Sequence, residues 1–282
     1  MPKREPVTAD AWRKLRGLTG ARIALGRAGM SQPTAPHLEF QLAHARARDA
    51  VHARLDVEAF GEKLRAAGHE TLVLASAAPD RTTYLQRPDL GRMLSPQSRG
   101  LLDRRAKVER KAAGAARPKA KSPTDAAFVI AGGLSALAVE RNALGLLAAV
   151  LPLLQGRDWK LAPIAVVSEG RVAIGDEIGW RLGARLVVML IGERPGLSAT
   201  DSLGVYLTYA PKIGRVDAER NCISNIRDGG QSHAAAAGTL VYLMKEARRR
   251  KLSGVSLKDE TVALALPSAG DRNFLDDQRE KP

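Results

Sequence analysis

The chain has 282 residues, enough for two modest domains or one domain with appendages. Its 45% hydrophobic content supports a real core, but aromatics are only 4%, so aliphatic side chains and alanine must fill the interior. A single cysteine, Cys222, excludes an intrachain disulfide framework and a structural zinc cluster. The formal charge of +14 admits nucleic acid, an anionic membrane or an acidic partner, and an arginine-rich background would give the same excess.

Residues 1–30 read as an N-terminal arm: a polar start, expected to be mobile, then an amphipathic stretch carrying Trp12, Leu15, Leu18 and Ile23. Gly17, Gly20 and Gly26 weaken any continuous helix there. No apolar core follows Met1, so a signal peptide is not expected and the chain is read as cytoplasmic. Residues 31–102 are expected to form a smaller, mainly helical N-terminal domain. His37–Leu55 has helical spacing, with histidines at 37, 44 and 52. His44 and His52 lie two turns apart, which is not the i,i+4 spacing of a metal helix, so these polar residues suit an interface or a pocket wall. A helix over Val57–Ala67 closes at Gly68, Glu70–Ser76 is a strand candidate, and Asp80–Leu94 shows no period.

Residues 103–124 change character, with eight Lys or Arg against two acids and two prolines. This is read as a basic linker. No aromatic is interleaved there for base stacking, so nucleic acid is not expected as a partner.

The grammar then becomes regular over 125–266. A strand at Phe128–Ala131 leads through Gly132-Gly133-Leu134-Ser135 into a helix over Ala136–Leu154, whose longest apolar run is too short to span a bilayer. A second strand, Ile164–Val167, precedes a helix over Val172–Leu182. The third strand, Leu186–Ile191, is apolar on both faces and stops at Gly192-Glu193-Arg194-Pro195-Gly196. An apolar segment at Val205–Tyr209 follows, and Asp217–Arg227 leads into a long helix over Ala234–Lys251. Alternating strands and helices predict the α/β class, with a C-terminal Rossmann-like parallel sheet domain over 125–266 and a flexible tail at 267–282.

In such a sheet the loops leaving the strand C-termini converge on a ligand edge. AGGLS matches neither dinucleotide nor P-loop fingerprints and reads as a tight turn needing positive φ. Glu193 and Arg194 are either ligand-directed or a surface ion pair at a strand exit. Cys222 lacks a base constellation, His233 being the one histidine in this half, so a packing thiol is favoured over a nucleophile. The residues thus describe a ligand-binding α/β domain without an obvious catalytic set, and a stand-alone nucleotide or small-molecule binding module remains open.

Taken together, RIALGRAG (22–29), LAHARARDAVH (42–52), TYLQRPDLGR (83–92), GLS (133–135), EGRVAIGDEIG (169–179), LIGERPGL (190–197), DSLGVYLTYAP (201–211) and RNCISNI (220–226) resemble the ethanolamine ammonia-lyase small subunit, in that family's order. The resemblance implies a radical enzyme that uses adenosylcobalamin to convert ethanolamine to acetaldehyde and ammonia. It implies a large-subunit partner, a TIM barrel holding the substrate, within a hetero-oligomer that binds no membrane, located in the cytoplasm or inside a bacterial microcompartment. It carries the cobalamin contacts onto Val172, Glu193 and Cys222: Glu193 as an acceptor for corrinoid amides, Val172 and Cys222 as packing groups. No catalytic or metal-ligating residue is carried over to this chain, and the missing D-x-H-x-x-G motif implies that the cofactor keeps its own base on cobalt. The chain departs from the family at Gly132, where aspartate is usual before GLS, and at Trp180, where an acidic residue is common.

Overall fold

A computed structural model describes residues 7–8, 10–112, 124–155 and 159–260. The expectations for the first six residues, for half of the basic linker and for the tail at 267–282 lie outside them. The chain runs α1 (Thr34–His52), α2 (Val57–Ala66), β1 (Thr71–Ala75), α3 (Arg81–Gln86), α4 (Pro96–Ala112), β2 (Thr124–Ala131), α5 (Ala136–Leu154), β3 (Ile164–Ser168), α6 (Ile174–Arg181), β4 (Ala184–Gly192), β5 (Leu203–Tyr209), β6 (Arg220–Ile226) and α7 (His233–Arg250). The amphipathic stretch of the arm forms a 3-10 helix over Ala11–Leu18.

One six-stranded sheet organises these elements, in the order β1-β3-β2-β4-β5-β6. Strands β1, β3, β2 and β4 are parallel. Their side chains meet two apolar layers, one on each face. On the first, Phe128, Ile130, Val166, Val188 and Leu190 pack with α5, α7 and Phe60 and Leu64 of α2. On the second, Val129, Val167, Val187 and Met189 pack with Ile174 and Ile178 of α6 and Leu102 of α4. Burial on both faces explains why β2 and β4 read as unbroken apolar runs. Helix α5 is long and apolar enough to cross a bilayer by length and composition, but half of it is buried, where it packs on the sheet and α7.

The α/β class stands, but the sheet is mixed rather than purely parallel. Strand β5 runs antiparallel to β4, and β6 antiparallel to β5. No helix lies between Gly192 and Leu203, so the chain lacks the crossover a parallel return needs and turns back as a hairpin-like link. The stretch Arg220–Ile226, read only as a lead-in to a helix, is the edge strand β6. The basic segment is helical in its first part: residues 103–112 belong to α4, where Arg, Lys, Glu and Ala favour helix. Strand β1 pairs with β3, so the N-terminal part of the chain contributes a strand to this same sheet.

At the sheet's C-terminal edge, the β2 and β4 exits touch. Gly133 has φ +59, and a Cβ on it would sit 2.3 Å from the Gly192 carbonyl oxygen, so the tight turn expected there is real and glycine is required. Ser135 caps α5 by accepting from the Ala138 amide and donates to the Thr200 carbonyl at 2.6 Å. That contact pins the β4–β5 connection to the turn.

Candidate ligand face

Helix α6 covers the second sheet face over β4 and reaches the β5–β6 hairpin at Thr208 and Arg220, which are buried beside Asp176. On β6, Ile223 and Ile226 are buried in the first layer with α7, while Cys222 and Ser224 are exposed on the opposite face. In register, Cys222 lies beside Tyr206 of β5, and Tyr206 beside Met189 of β4. Tyr206 is half-buried against the second layer. Past Thr208 and Arg220, the β5–β6 hairpin therefore presents a bare strip on this side.

Glu193 stands at the rim of that strip. Its amide donates to the Ser202 carbonyl at 2.9 Å, which prolongs the β4–β5 pairing and fixes where its side chain starts. The carboxylate then accepts from Ser202 Oγ at 2.5 Å, Ser224 Oγ at 2.6 Å and the Asn225 amide at 3.4 Å. Gly204 leaves room for it, since a Cβ there would lie 2.8 Å from Glu193 Oε1. A carboxylate held by three donors, one from the β4–β5 link and two from β6, is a preorganised acceptor, and its contacts are charge-assisted.

Cys222 shares this neighbourhood. Burial pushes its thiol up, the Glu193 charge adds to the rise, and a hydrogen bond from the Tyr206 hydroxyl opposes both. The Tyr206 phenol is raised in turn by burial, the thiol and Glu193. The thiol stays protonated at neutral pH, which disfavours nucleophilic work. His233, the one histidine near in sequence, points elsewhere: its Nε2 lies 3.2 Å from Asn142 Oδ1 of α5, on the helix-covered face.

Val172 sits on the loop between β3 and α6, half-buried against the same layer as Tyr206. It lines a cavity of about 550 Å3 whose wall also includes Arg220, two positions before Cys222. The structure thus gathers Glu193 and Cys222 around Tyr206 and sets Val172 in the adjoining cavity. Arg194, next to Glu193, is exposed, and no ion pair joins the two residues among the described contacts.

The fold anchors these loops with charged residues that the motifs did not single out. Glu169, in a left-handed backbone with φ +48, is nearly buried. Its carboxylate receives Arg81 at 2.9 Å and Arg54 at 3.2 Å, and Arg81 also donates to the Gly133 carbonyl at 2.8 Å and to Val51 O at 2.6 Å. One guanidinium therefore ties α1, α3, the β2 exit and the β3 exit together. Tyr84 lies between Arg81 and Arg171, whose guanidinium carbons sit 4.8 and 4.2 Å from its ring centre. Burial pushes the Tyr84 phenol up to about 12. On α6, Asp176 pairs with Arg220 at 2.7 Å, both side chains 2% exposed. Burial raises Asp176 to about 6 against the pull of Arg220. Next to it, burial also pushes Glu177 up, but hydrogen bonds from Arg99, the Leu94 amide and Arg181 outweigh it and leave the group below the usual range. A side chain at Gly132 would press on Leu55 Cβ at 3.2 Å, so the aspartate usual in the resembled family has little room here.

Fold and site together define an α/β protein that offers a ligand face beside a cavity, rather than a nucleophile–base pair. Comparison with known proteins narrows that class. A family model described as ethanolamine ammonia-lyase light chain (EutC) matches residues 9–258. The chain is 57% identical over 269 residues to the ethanolamine ammonia-lyase small subunit of Ralstonia nicotianae, covering 95% of each. It is 55% identical over 278 residues to that of Azotobacter vinelandii, covering 98% of each, and 54% identical over 271 residues to one from Xanthomonas campestris, covering 94% of this chain and 96% of the relative. The chain belongs to the ethanolamine ammonia-lyase light-chain family and is a lyase subunit.

Proposed function

We propose that this chain is the small subunit of an adenosylcobalamin-dependent ethanolamine ammonia-lyase, assembled with a large catalytic subunit in a hetero-oligomer. Family membership at 51–57% identity carries the reading. The ligand face fits the cofactor's chemistry. A corrinoid carries amide arms around an apolar macrocycle, so it needs fixed acceptors beside apolar contact. Glu193, held by Ser202, Ser224 and the Asn225 amide, is an acceptor whose geometry is set before a ligand arrives. Cys222, exposed and protonated, and Val172, half-buried, are packing groups. Adenosylcobalamin, when bound, supplies the radical chemistry that turns ethanolamine into acetaldehyde and ammonia. This chain's residues hold and orient the cofactor and shield it from water; substrate binding falls mainly to the large subunit. The complex works in the cytoplasm, and loss of a punctate distribution on deleting residues 1–25, with activity kept, would place it in a bacterial microcompartment.

Co-expression with a large-subunit candidate tests the reading. A stable complex that deaminates ethanolamine only when adenosylcobalamin is added supports it; a chain that stays monomeric beside that candidate and leaves ethanolamine untouched overturns it. Glu193→Gln in the complex should weaken cobalamin binding about tenfold, the scale of one charge-assisted hydrogen bond. Unchanged affinity would remove Glu193 from the site.

A further inference from the structure

The cavity beside Val172 contains more cationic surface than the fold consumes. Five arginines line it: Arg92, Arg99, Arg171, Arg215 and Arg220. Three are matched to carboxylates, since Arg99 binds Glu177 at 2.7 Å, Arg220 binds Asp176 at 2.7 Å, and Arg215 pairs with Glu219. Arg92 and Arg171 have no carboxylate partner among the described residues. They line the same cavity, and their backbones meet where the Arg171 amide donates to the carbonyl of Gly91, the residue before Arg92, at 2.7 Å. Arg171 is held in place by stacking on Tyr84 and by one hydrogen bond to the Tyr84 carbonyl at 3.1 Å, and its buried Nε has no hydrogen-bond partner. Facing these cations, Met93, Ile213 and Val216 leave large apolar side chains exposed at the same cavity.

A fixed guanidinium and a second, unpaired one lining the same cavity are the usual recognition chemistry for a phosphate group. An apolar rim across a cavity of about 550 Å3 suits a nucleotide-sized group rather than a bare ion. We propose that Arg92 and Arg171 form a phosphate subsite contiguous with Val172, and that its occupant is the phosphodiester of the cofactor's nucleotide tail. The proposal rests on the cobalamin reading above. It makes Arg92 and Arg171 determinants of corrinoid specificity, selecting a complete cobalamin over one lacking the tail. A free phosphate has the same chemistry and is the competing source.

The test uses the co-expressed two-subunit complex and binding readouts. Dissociation constants are measured for adenosylcobalamin and for adenosylcobinamide, which lacks the nucleotide tail, with wild type and Arg92→Ala. Arg92 is exposed and makes no internal ion pair among the described residues, so its removal leaves the fold intact. The expected result is about tenfold weaker binding of adenosylcobalamin and unchanged binding of adenosylcobinamide. Arg171→Lys keeps the charge but loses the planar fork, and should shift the cobalamin constant in the same direction by less. Inorganic phosphate, followed by 31P line broadening, should bind the corrinoid-free complex through Arg92 and be displaced by cobalamin but not by cobinamide. Equal losses for both corrinoids, or no loss for either, overturn the subsite. Phosphate that stays bound in the cobalamin-loaded complex overturns the tail as occupant in favour of a free anion. A wild-type complex that binds neither corrinoid overturns the cobalamin reading itself, a result distinct from any effect of Arg92.

Discussion

The two halves of the sheet solve different problems. Strands β1, β3, β2 and β4 are covered on both faces, and their residues from Ala126 to Ala131 and Leu186 to Leu190 are almost wholly buried. Strands β5 and β6 are covered along one face and on the other only at Thr208 and Arg220, which leaves Tyr206, Cys222 and Ser224 less covered there. Covered strands must be continuous in apolar side chains, so they can carry little chemistry. The half-covered hairpin can alternate, and polar or reactive groups occupy its free face at no cost to the core. Charged networks sit at the exits of β2 and β3, through Arg81 and Glu169, and between α6 and the start of β6, through Asp176 and Arg220.

The largest break in this arrangement comes from Arg81. Replacing it with Met leaves the buried Glu169 with Arg54 as its remaining cation and deprives the Gly133 and Val51 carbonyls of their donor. Breaking a buried pair from one side costs about 3–5 kcal/mol, and chemical denaturation should show a loss of that size. The predicted loss concerns the covered half, yet the β3 exit that carries Val172 should loosen with it, seen as faster hydrogen exchange around 169–173.

A second test sets two adjacent carboxylates against each other. Asp176 faces the half-covered hairpin through Arg220, and Glu177 faces the covered side through Arg99. Raised to about 6 from 3.8, Asp176 binds more proton in the folded state, so its contribution to stability falls as pH rises from about 4 to 6. The rise caps the effect at about 3 kcal/mol. Glu177, held below its usual range, contributes stability above its unfolded value that is lost as pH falls through the folded one. Stability measured across pH 3.5–7 should therefore diverge in opposite directions. The deficit of Asp176→Asn relative to wild type should shrink as pH rises, and that of Glu177→Gln should grow. Parallel curves for the two variants would show that neither titrates as the surroundings dictate.

Smaller again is Ser224→Ala, which removes one donor from Glu193 on an exposed rim and should cost about 1 kcal/mol or less in stability. On the proposed role of Glu193, cobalamin affinity in the complex should fall several-fold, because the carboxylate loses a constraint that sets its direction. A stability loss without an affinity loss would make the serine merely structural.

Much of the covered half was legible in sequence, and much of the other half was not. The runs at 128–131, 164–167 and 186–191 and the helices between them read correctly because burial on both faces leaves an unbroken apolar signal. Strand β6 escaped because RNCISNI alternates buried Ile223 with exposed Cys222 and Ser224, and its pairing with β5 carries a register shift near Leu203 and Val205. The antiparallel return of β5 was signalled by the helix-free link from Gly192 to Leu203, a cue that hydrophobic periodicity ignores. Basic side chains made 103–112 look like a linker, although the same residues are good helix formers and Leu102 anchors α4 in the second layer. Glu193 and Cys222 were found as residues, but Ser202, Ser224 and Tyr206 were not, because their relation to Glu193 exists only once β4, β5 and β6 are paired. The partnership of Arg81 with Glu169, 88 positions apart, has no local signature at all.

The finest effect concerns the Cys222 thiol, which reports on the bare strip directly. It is exposed, so Cys222→Ala should change stability by no more than about 0.5 kcal/mol. Its reactivity should nonetheless be low, because the protein around the accessible sulfur still strips part of its water, and this desolvation and the Glu193 charge both hold the thiol protonated. Only thiolate attacks, so alkylation by iodoacetamide at pH 7.5 should run slower than with free cysteine. Two substitutions should then move the rate in opposite directions. Glu193→Gln removes the negative charge, lowers the thiol's pKa and should speed alkylation. Tyr206→Phe removes the one hydrogen bond that favours thiolate and should slow it. A lower pKa also weakens the intrinsic nucleophile, but this offsets only about half of the gain in thiolate, so the signs survive. Rates that shift together, or not at all, would separate Glu193 and Tyr206 from the thiol and dissolve the shared strip on which the proposed cobalamin contacts rest.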